Sequence, residues 1–230
     1  MRSGRWSALG LLGAPLALAA TPATAQSPRE LLLHAAFEDR SRDAALAKVD
    51  RARALALAAA ARSPGDQEAA VIAATAQGYR AKLTGNRSEA MAAKKQFDAV
   101  AARFPRNPEA QIGLGAWHLS IINRAGALLG RVLGARRNVG VACLDRSVAY
   151  GGDRAMFPGL AGMMLIEANG EDPRGRELVE RAMQASAPTP LDRIVKRASA
   201  QVAAALRRGD AKAATALADR LLPFGWYQPE

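Results

Sequence analysis

Three turn segments of similar composition recur along this chain of 230 residues, and they constrain its fold more than any other feature. They cover residues 85–90, 170–173 and 209–214. In each, a glycine ends one segment with helical apolar spacing and a polar residue caps the next. Such a turn joins two antiparallel helices. Its recurrence therefore predicts a series of stacked helical hairpins.

The composition between these turns favours helices throughout. Half of the residues are apolar, only 5% are aromatic, and long stretches show no strand-like alternation. Alanine, leucine, arginine and glutamate are strong helix formers. We therefore predict an all-α chain of antiparallel helical hairpins, stacked as about four helix pairs. The helical domain should span residues 26–222, and an aromatic tail at 223–230 should fold back over the final helix.

The N-terminus resembles a secretory signal. Arg2 and Arg5 precede an apolar stretch at 7–20, and Ala-Thr-Ala at 23–25 fits a signal-peptidase site. We predict that residues 1–25 are cleaved and that the mature protein is periplasmic. An uncleaved membrane anchor is the alternative.

The chain is strongly basic, with a formal net charge of +11, or +9 without Arg2 and Arg5. In an exported protein this charge points to anionic envelope surfaces or acidic partners. A base composition that favours arginine codons is the alternative explanation. Nucleic acid is not expected, because no basic run is interleaved with aromatic residues.

The segment from 108 to 123 should be an inner helix, because it is apolar on two faces. Its Trp117, His118 and Ile121 are candidates for contacting a partner. The alternative is that each is structural, and a single histidine in a helix is more often structural than catalytic.

A glycine-rich insertion follows at about 124–138, with the sequence GALLGRVLG at 126–134. Glycines spaced four apart allow close helix contact. One interpretation is a long hairpin loop or a tightly packed helix pair. The other is a basic, apolar surface element that contacts anionic lipid, a membrane surface or a partner. Its candidate contacts are Arg124, Arg131, Arg136 and Arg137, and no acidic residue lies between Glu109 and Asp145.

The hairpins resemble the tetratricopeptide repeat (TPR) family. The best match runs from about 67 to 108, with Gly78, the 85–86 turn, Ala90 and the junction FPRNPEA at 104–110. The turns recur at more than the usual period of about 34 residues, which indicates lengthened, degenerate repeats. The resemblance implies a right-handed α-solenoid that binds a partner on its concave face.

The sequence shows no zinc-protease, dithiol, phosphate-loop or serine-hydrolase motif. We therefore predict no catalytic residue, no cofactor and no metal site. The single cysteine, Cys143, should be a buried apolar residue, although an intermolecular disulfide or a reactive thiol is the alternative.

These features predict a non-enzymatic periplasmic scaffold that binds a protein or peptide partner. The main alternative is a solute- or lipid-handling component of an envelope transport system, with residues 156–166 and the insertion lining its pocket. An enzyme whose site is assembled from distant residues is a third alternative.

Overall fold

In the computed structural model, residues 26–227 are described, and within that range the chain is helical without any β-strand. The predicted all-α class is therefore confirmed. The predicted signal segment 1–25 and the last three residues lie outside the described range. The helices are α1 Pro28–Phe37, α2 Arg42–Arg62, α3 Gln67–Thr84, α4 Arg87–Arg103, α5 Pro108–Val132, α6 Arg137–Tyr150, α7 Met156–Ala168, α8 Pro173–Gln184, α9 Pro190–Arg207 and α10 Ala211–Leu221.

Polar side chains fix the starts of most helices. At α9, the Thr189 hydroxyl accepts the N–H of Asp192, and the Asp192 carboxylate accepts the N–H of Thr189. This is the capping box that the sequence predicted. The predicted start of α4 at Ser88 is one residue late, since the helix begins at Arg87. Asn86 is the cap, because its side-chain oxygen accepts the N–H groups of Ser88 and Glu89.

The expectation of about four helix pairs is one pair short. The ten helices found in residues 26–227 form five consecutive pairs. The sequence does predict both α1 and α2, the second with Ser41 as its cap. Only the number of pairs was too low, because it was counted from the recurring glycine turns and the turn at residues 38–41 contains no glycine.

Each helix packs against the next one, and consecutive odd-numbered helices also pack against each other. The contacts α1–α3, α3–α5, α5–α7 and α7–α9 therefore make a continuous row. Helix α7 lies deepest, with every residue from Met156 to Ile166 buried. Helix α7 crosses α8 closely at Gly162. A Cβ at this position would lie only 2.8 Å from the Val179 backbone nitrogen, so any larger residue would force the two helices apart.

The three glycines of the insertion have three different roles. Gly126 has φ +78°, so it kinks α5, which continues beyond the predicted end at about Asn123. Gly130 is buried, and a Cβ there would lie 3.1 Å from the Ile122 side chain. Gly134 has φ +81° and follows the end of the helix. Together they fold the chain back on itself before α6, which fits the tightly packed hairpin interpretation.

The C-terminal segment crosses to the other end of the chain's fold. We expected it to cover the final helix. Gly225 does lie against the end of that helix, since a Cβ there would clash with the Asp219 carbonyl oxygen. Phe224, however, is fully buried in a cluster with α1, α2 and α3 residues, and its ring contacts Tyr79 edge-on at 4.9 Å. The tail therefore joins the last helix pair to the first one.

Candidate functional site

A cavity of about 270 Å³ lies along the row of odd-numbered helices. Most of its wall is aliphatic, and α1, α3, α5 and α7 all contribute to it. The C-terminal segment also contributes, through Leu222 and Pro223. The aliphatic lining includes Leu32, Leu33, Ile72, Ile112, Ala116, Leu160 and Met164.

A cluster of three charged side chains lies at the N-terminal ends of α1, α3 and α5. Arg29, in the first turn of α1, donates to Glu109 at 2.9 Å and to Glu68 at 3.1 Å. Glu68 and Glu109 lie in the first turns of α3 and α5. Carboxylates are favourable at helix N-termini because of the helix dipole. The single cation on Arg29 offsets only one of these two negative charges, so the three side chains at this end of the cavity keep a net charge of −1.

A second cluster of charged side chains lies toward the C-terminal ends of α3, α5 and α7. Lys82 of α3, Arg124 of α5 and Glu167 of α7 all line the cavity there. The Lys82 ammonium donates to the carbonyl oxygen of Pro223 at 2.5 Å. This bond links the cation to the C-terminal segment that completes the wall.

The apolar surroundings change the acid–base behaviour of this second group. Burial, with the positive charge of Arg124 as a smaller cause, lowers the pKa of Lys82 to about 8. Burial likewise raises the pKa of Glu167, although Lys82 acts in the opposite direction. Both shifts arise because a charged form is less stable away from water. A polar ligand group that contacted these side chains would relieve part of that cost.

Three of the predicted contact residues line the cavity: Trp117, Ile121 and Arg124. The Trp117 side chain is 6% exposed, and its indole N–H donates to the carbonyl oxygen of Ala90 at 2.8 Å. The Lys94 ammonium lies 5.6 Å from its ring centre. Trp117 therefore joins α4 to α5 as well as forming part of the wall.

His118 does not line the cavity. It is buried, and its Nδ1 accepts the backbone N–H of Arg136 at 3.2 Å. Burial, with the nearby Lys94 charge, lowers the pKa of His118. Successive residues of a helix point about 100° apart. Because Trp117 faces the cavity, His118 points away from it, towards the start of α6. His118 thus holds the start of α6.

The other predicted contacts, Arg131, Arg136 and Arg137, are exposed near the turn between α5 and α6. They do not line the cavity. The expectation that the glycine-rich insertion would line a pocket with residues 156–166 is therefore wrong for the insertion beyond Arg124. Met156, Leu160 and Met164 from the second range do line it.

Several polar residues of the cavity were not predicted from the sequence. Lys82 and Glu167 read as ordinary last-turn charges, and nothing local shows that their helices meet around one space. The only signal in the sequence is that both residues lie among apolar neighbours. Burying a charged side chain there costs free energy unless the charge has a partner. The missed residues are Arg29, Tyr79, Lys82, Glu109 and Glu167.

Within residues 26–227, no three His, Cys, Asp or Glu side chains lie close enough together to hold a metal ion. In the same range, no helix has the length and apolar character needed to cross a bilayer. No protein-family model, curated protein or solved structure matches this chain.

Proposed function

We propose that this protein is a non-enzymatic binding protein of the periplasm whose cavity takes an elongated apolar molecule with one polar end. The observation that supports this is the aliphatic wall with Lys82, Arg124 and Glu167 at one end. Sites for small molecules are typically apolar with a few placed polar groups. Export through the signal at 1–25 is part of the proposal and rests on the sequence.

We further propose that the helices form a TPR-like, right-handed α-solenoid. Five helix pairs with contacts between consecutive odd-numbered helices support this arrangement. In repeat arrays each unit contacts its neighbours, and one layer of helices faces inward. The odd-numbered helices would be that inner layer, and the cavity would be the concave face of the array.

The size of the cavity favours a small molecule over a folded partner. Its volume of about 270 Å³ is slightly below the range of about 300–1,000 Å³ that is usual for small-molecule sites. One unbranched hydrocarbon chain is a better match to this space than a helix or a bulky ring system. This was the alternative function predicted from the sequence, and the geometry favours it over the scaffold.

The first test measures binding of dodecanoic acid by isothermal titration calorimetry. Ala116, a half-buried cavity residue, is replaced in Ala116→Phe, and exposed Ala142 on α6 is replaced in the matched control Ala142→Phe. Ala116→Phe should weaken binding by about tenfold or more, because the ring occupies the ligand space. Ala142→Phe should bind as the unmodified protein does. Equal binding by both variants would rule out the cavity as the site.

A second measurement tests the polar end. Lys82→Met should weaken binding of dodecanoic acid while leaving that of dodecanol nearly unchanged, because only the acid carries an anionic group for Lys82. If both ligands lose affinity equally, Lys82 does not contact the head group. Absence of binding by either ligand to the unmodified protein would contradict the proposed function.

A protein or peptide partner is the second candidate function. The C-terminal segment favours it, since Phe224 and Trp226 already bind α1 through the Ala36 carbonyl oxygen. A partner segment with similar aromatic residues could occupy the same place. Cross-linking of the tagged mature protein in its host's envelope, with mass spectrometry of proteins and lipids, separates the two functions. One dominant protein would favour the scaffold, and recovery of lipid alone would favour the cavity ligand.

A further inference from the structure

The part of α5 beyond its kink at Gly126 exposes apolar side chains that nothing in the described chain covers. Leu128 and Val132 are 80% and 70% exposed, and they are the two most exposed large apolar side chains in residues 26–227. Leu129 beside them is 49% exposed. We call residues 126–137 the α5–α6 corner. Soluble surfaces seldom place several exposed large aliphatic residues together without a binding role.

The same corner is strongly basic. Arg131, Arg136 and Arg137 are exposed, and none of the three forms an ion pair within the described residues. The chain has no acidic residue between Glu109 and Asp145. Asp98, which like Arg136 lies near His118, is paired with Lys94, and Asp145 is paired with Arg174. Four other arginines of the described residues do form ion pairs, namely Arg29, Arg80, Arg154 and Arg174.

The fold holds this corner in a fixed shape. Gly126 and Gly134 have positive φ at its two ends, and buried Gly130 packs against Ile122 in its middle. Buried Ala135 follows, and its N–H donates to the carbonyl oxygen of Gly130 at 2.8 Å. The exposed side chains are thus presented on a folded-back hairpin.

We propose that the α5–α6 corner docks this protein onto an anionic membrane surface. Leu128, Leu129 and Val132 would enter the boundary between head groups and acyl chains. The three arginines would contact lipid phosphates. Buried apolar area and attraction to anionic lipid are the two terms that hold peripheral elements on a bilayer.

The positive charge of the α5–α6 corner favours an anionic membrane over a second copy of this chain as its binding partner. Two copies facing each other through this corner would bring six arginines together without an acidic partner from the same segment. Like charges at close range oppose association. An anionic surface instead supplies the complementary charge across a wide area, so it is the occupant that the observations favour. This inference does not depend on the cavity ligand.

The test is co-sedimentation of the mature protein with lipid vesicles. We expect binding to vesicles of phosphatidylcholine mixed with phosphatidylglycerol, and little binding to phosphatidylcholine alone. The pair Arg131→Gln and Arg137→Gln should weaken binding by about 25-fold, since each basic residue contributes roughly fivefold at an anionic surface. Arg51→Gln and Arg62→Gln on α2, where both residues are also exposed, form the matched control and should bind as the unmodified protein does.

A second pair of variants tests the apolar part. Leu128→Ser with Val132→Ser should weaken binding by about tenfold or more, because less apolar surface enters the bilayer. Leu55→Ser with Leu57→Ser, which are 41% and 42% exposed on α2, should have little effect. Circular dichroism confirms that all four variants are folded, as is expected for exposed positions.

Three results would overturn the proposal. One is equal binding to neutral and anionic vesicles. Another is unchanged binding of both corner variants. The third is a concentration-dependent dimer in sedimentation equilibrium that the Leu128→Ser, Val132→Ser variant abolishes, which would make a second copy the occupant.

Discussion

The backbone N–H of Phe224 donates a hydrogen bond of 3.0 Å to the carbonyl oxygen of Ala36, near the C-terminal end of α1. The indole N–H of Trp226 donates to the same oxygen at 3.2 Å. The last carbonyl groups of a helix have no partner within it, so a helix end needs donors from elsewhere. The C-terminal segment supplies them for the first helix, and in doing so it completes the cavity wall.

Removal of the Phe224 ring should destabilise the protein strongly. Phe224 is fully buried and packs edge-on against Tyr79. We expect Phe224→Ala to lower the free energy of unfolding by about 3–5 kcal/mol, as is usual for a buried aromatic residue. Urea denaturation followed by circular dichroism measures this. Tyr150→Ala, at a side chain that is 41% exposed, is the control, and it should change the value by under about 0.5 kcal/mol.

The stability should increase with pH in the alkaline range because of Lys82. Its pKa is about 8 in the folded protein and 10.5 in its ordinary state, so the unfolded chain binds more protons between these values. Stability then rises as the pH goes from about 8 to 10.5. The charged form costs the folded state up to about 3 kcal/mol below pH 8.

Lys82→Met should therefore remove this slope. It should also raise the free energy of unfolding at neutral pH by about 1 kcal/mol, since the lost bond to Pro223 and the lost attraction to Glu167 offset most of the gain. Urea denaturation at several pH values measures both effects. Lys95→Met, at an exposed position on α4, should keep the slope of the unmodified protein. A slope that survives in Lys82→Met would mean that other groups cause it.

The crossing of α7 and α8 should not tolerate an added methyl group. A Cβ on Gly162 would lie 2.8 Å from the Val179 nitrogen and 2.9 Å from the Gly175 oxygen, and both are backbone atoms. We expect Gly162→Ala to destabilise by about 1–3 kcal/mol. Gly65→Ala, where the space around the Cβ is empty, should stay within about 0.5 kcal/mol of the unmodified protein. Thermal and urea unfolding of the two variants gives the comparison.

Cys143 should be unreactive while the protein is folded. It has no exposed surface, and burial raises the pKa of its thiol in spite of the nearby Arg146. The thiolate is the reactive form, so both effects slow modification. Native protein should react with Ellman's reagent only as fast as it unfolds, and protein in guanidinium should react at once. A disulfide-linked dimer on a non-reducing gel would contradict this prediction.

Local chemistry at the helix ends made much of the fold predictable. The capping residues at Thr189 and Asp172, and the glycines at 85 and 209, mark helix boundaries that the structure confirms. The start of α4 was predicted one residue late, at Ser88, because Asn86 rather than a later residue caps the helix. The number of helix pairs was predicted too low because it was counted from glycine turns, and the turn between α1 and α2 has no glycine.

The candidate site was predictable only in part. Trp117 and Ile121 were identified because an unusually apolar helix has to be buried between neighbours. Lys82 and Glu167 were missed, although they line the same cavity. Their helices are far apart in sequence, and which residues meet across such a distance depends on helix crossing geometry rather than on any local pattern.

The sequence by itself therefore determined the all-α class, most helix boundaries and the basic, apolar character of residues 126–137. Each of these depends on neighbouring residues, through caps, glycine conformations and the absence of acidic side chains. Only the tertiary structure decided that the odd-numbered helices enclose a cavity and that the C-terminal segment reaches Ala36. It also decided that His118 faces α6. These features depend on how packed helices orient one another, which no single segment of the chain specifies.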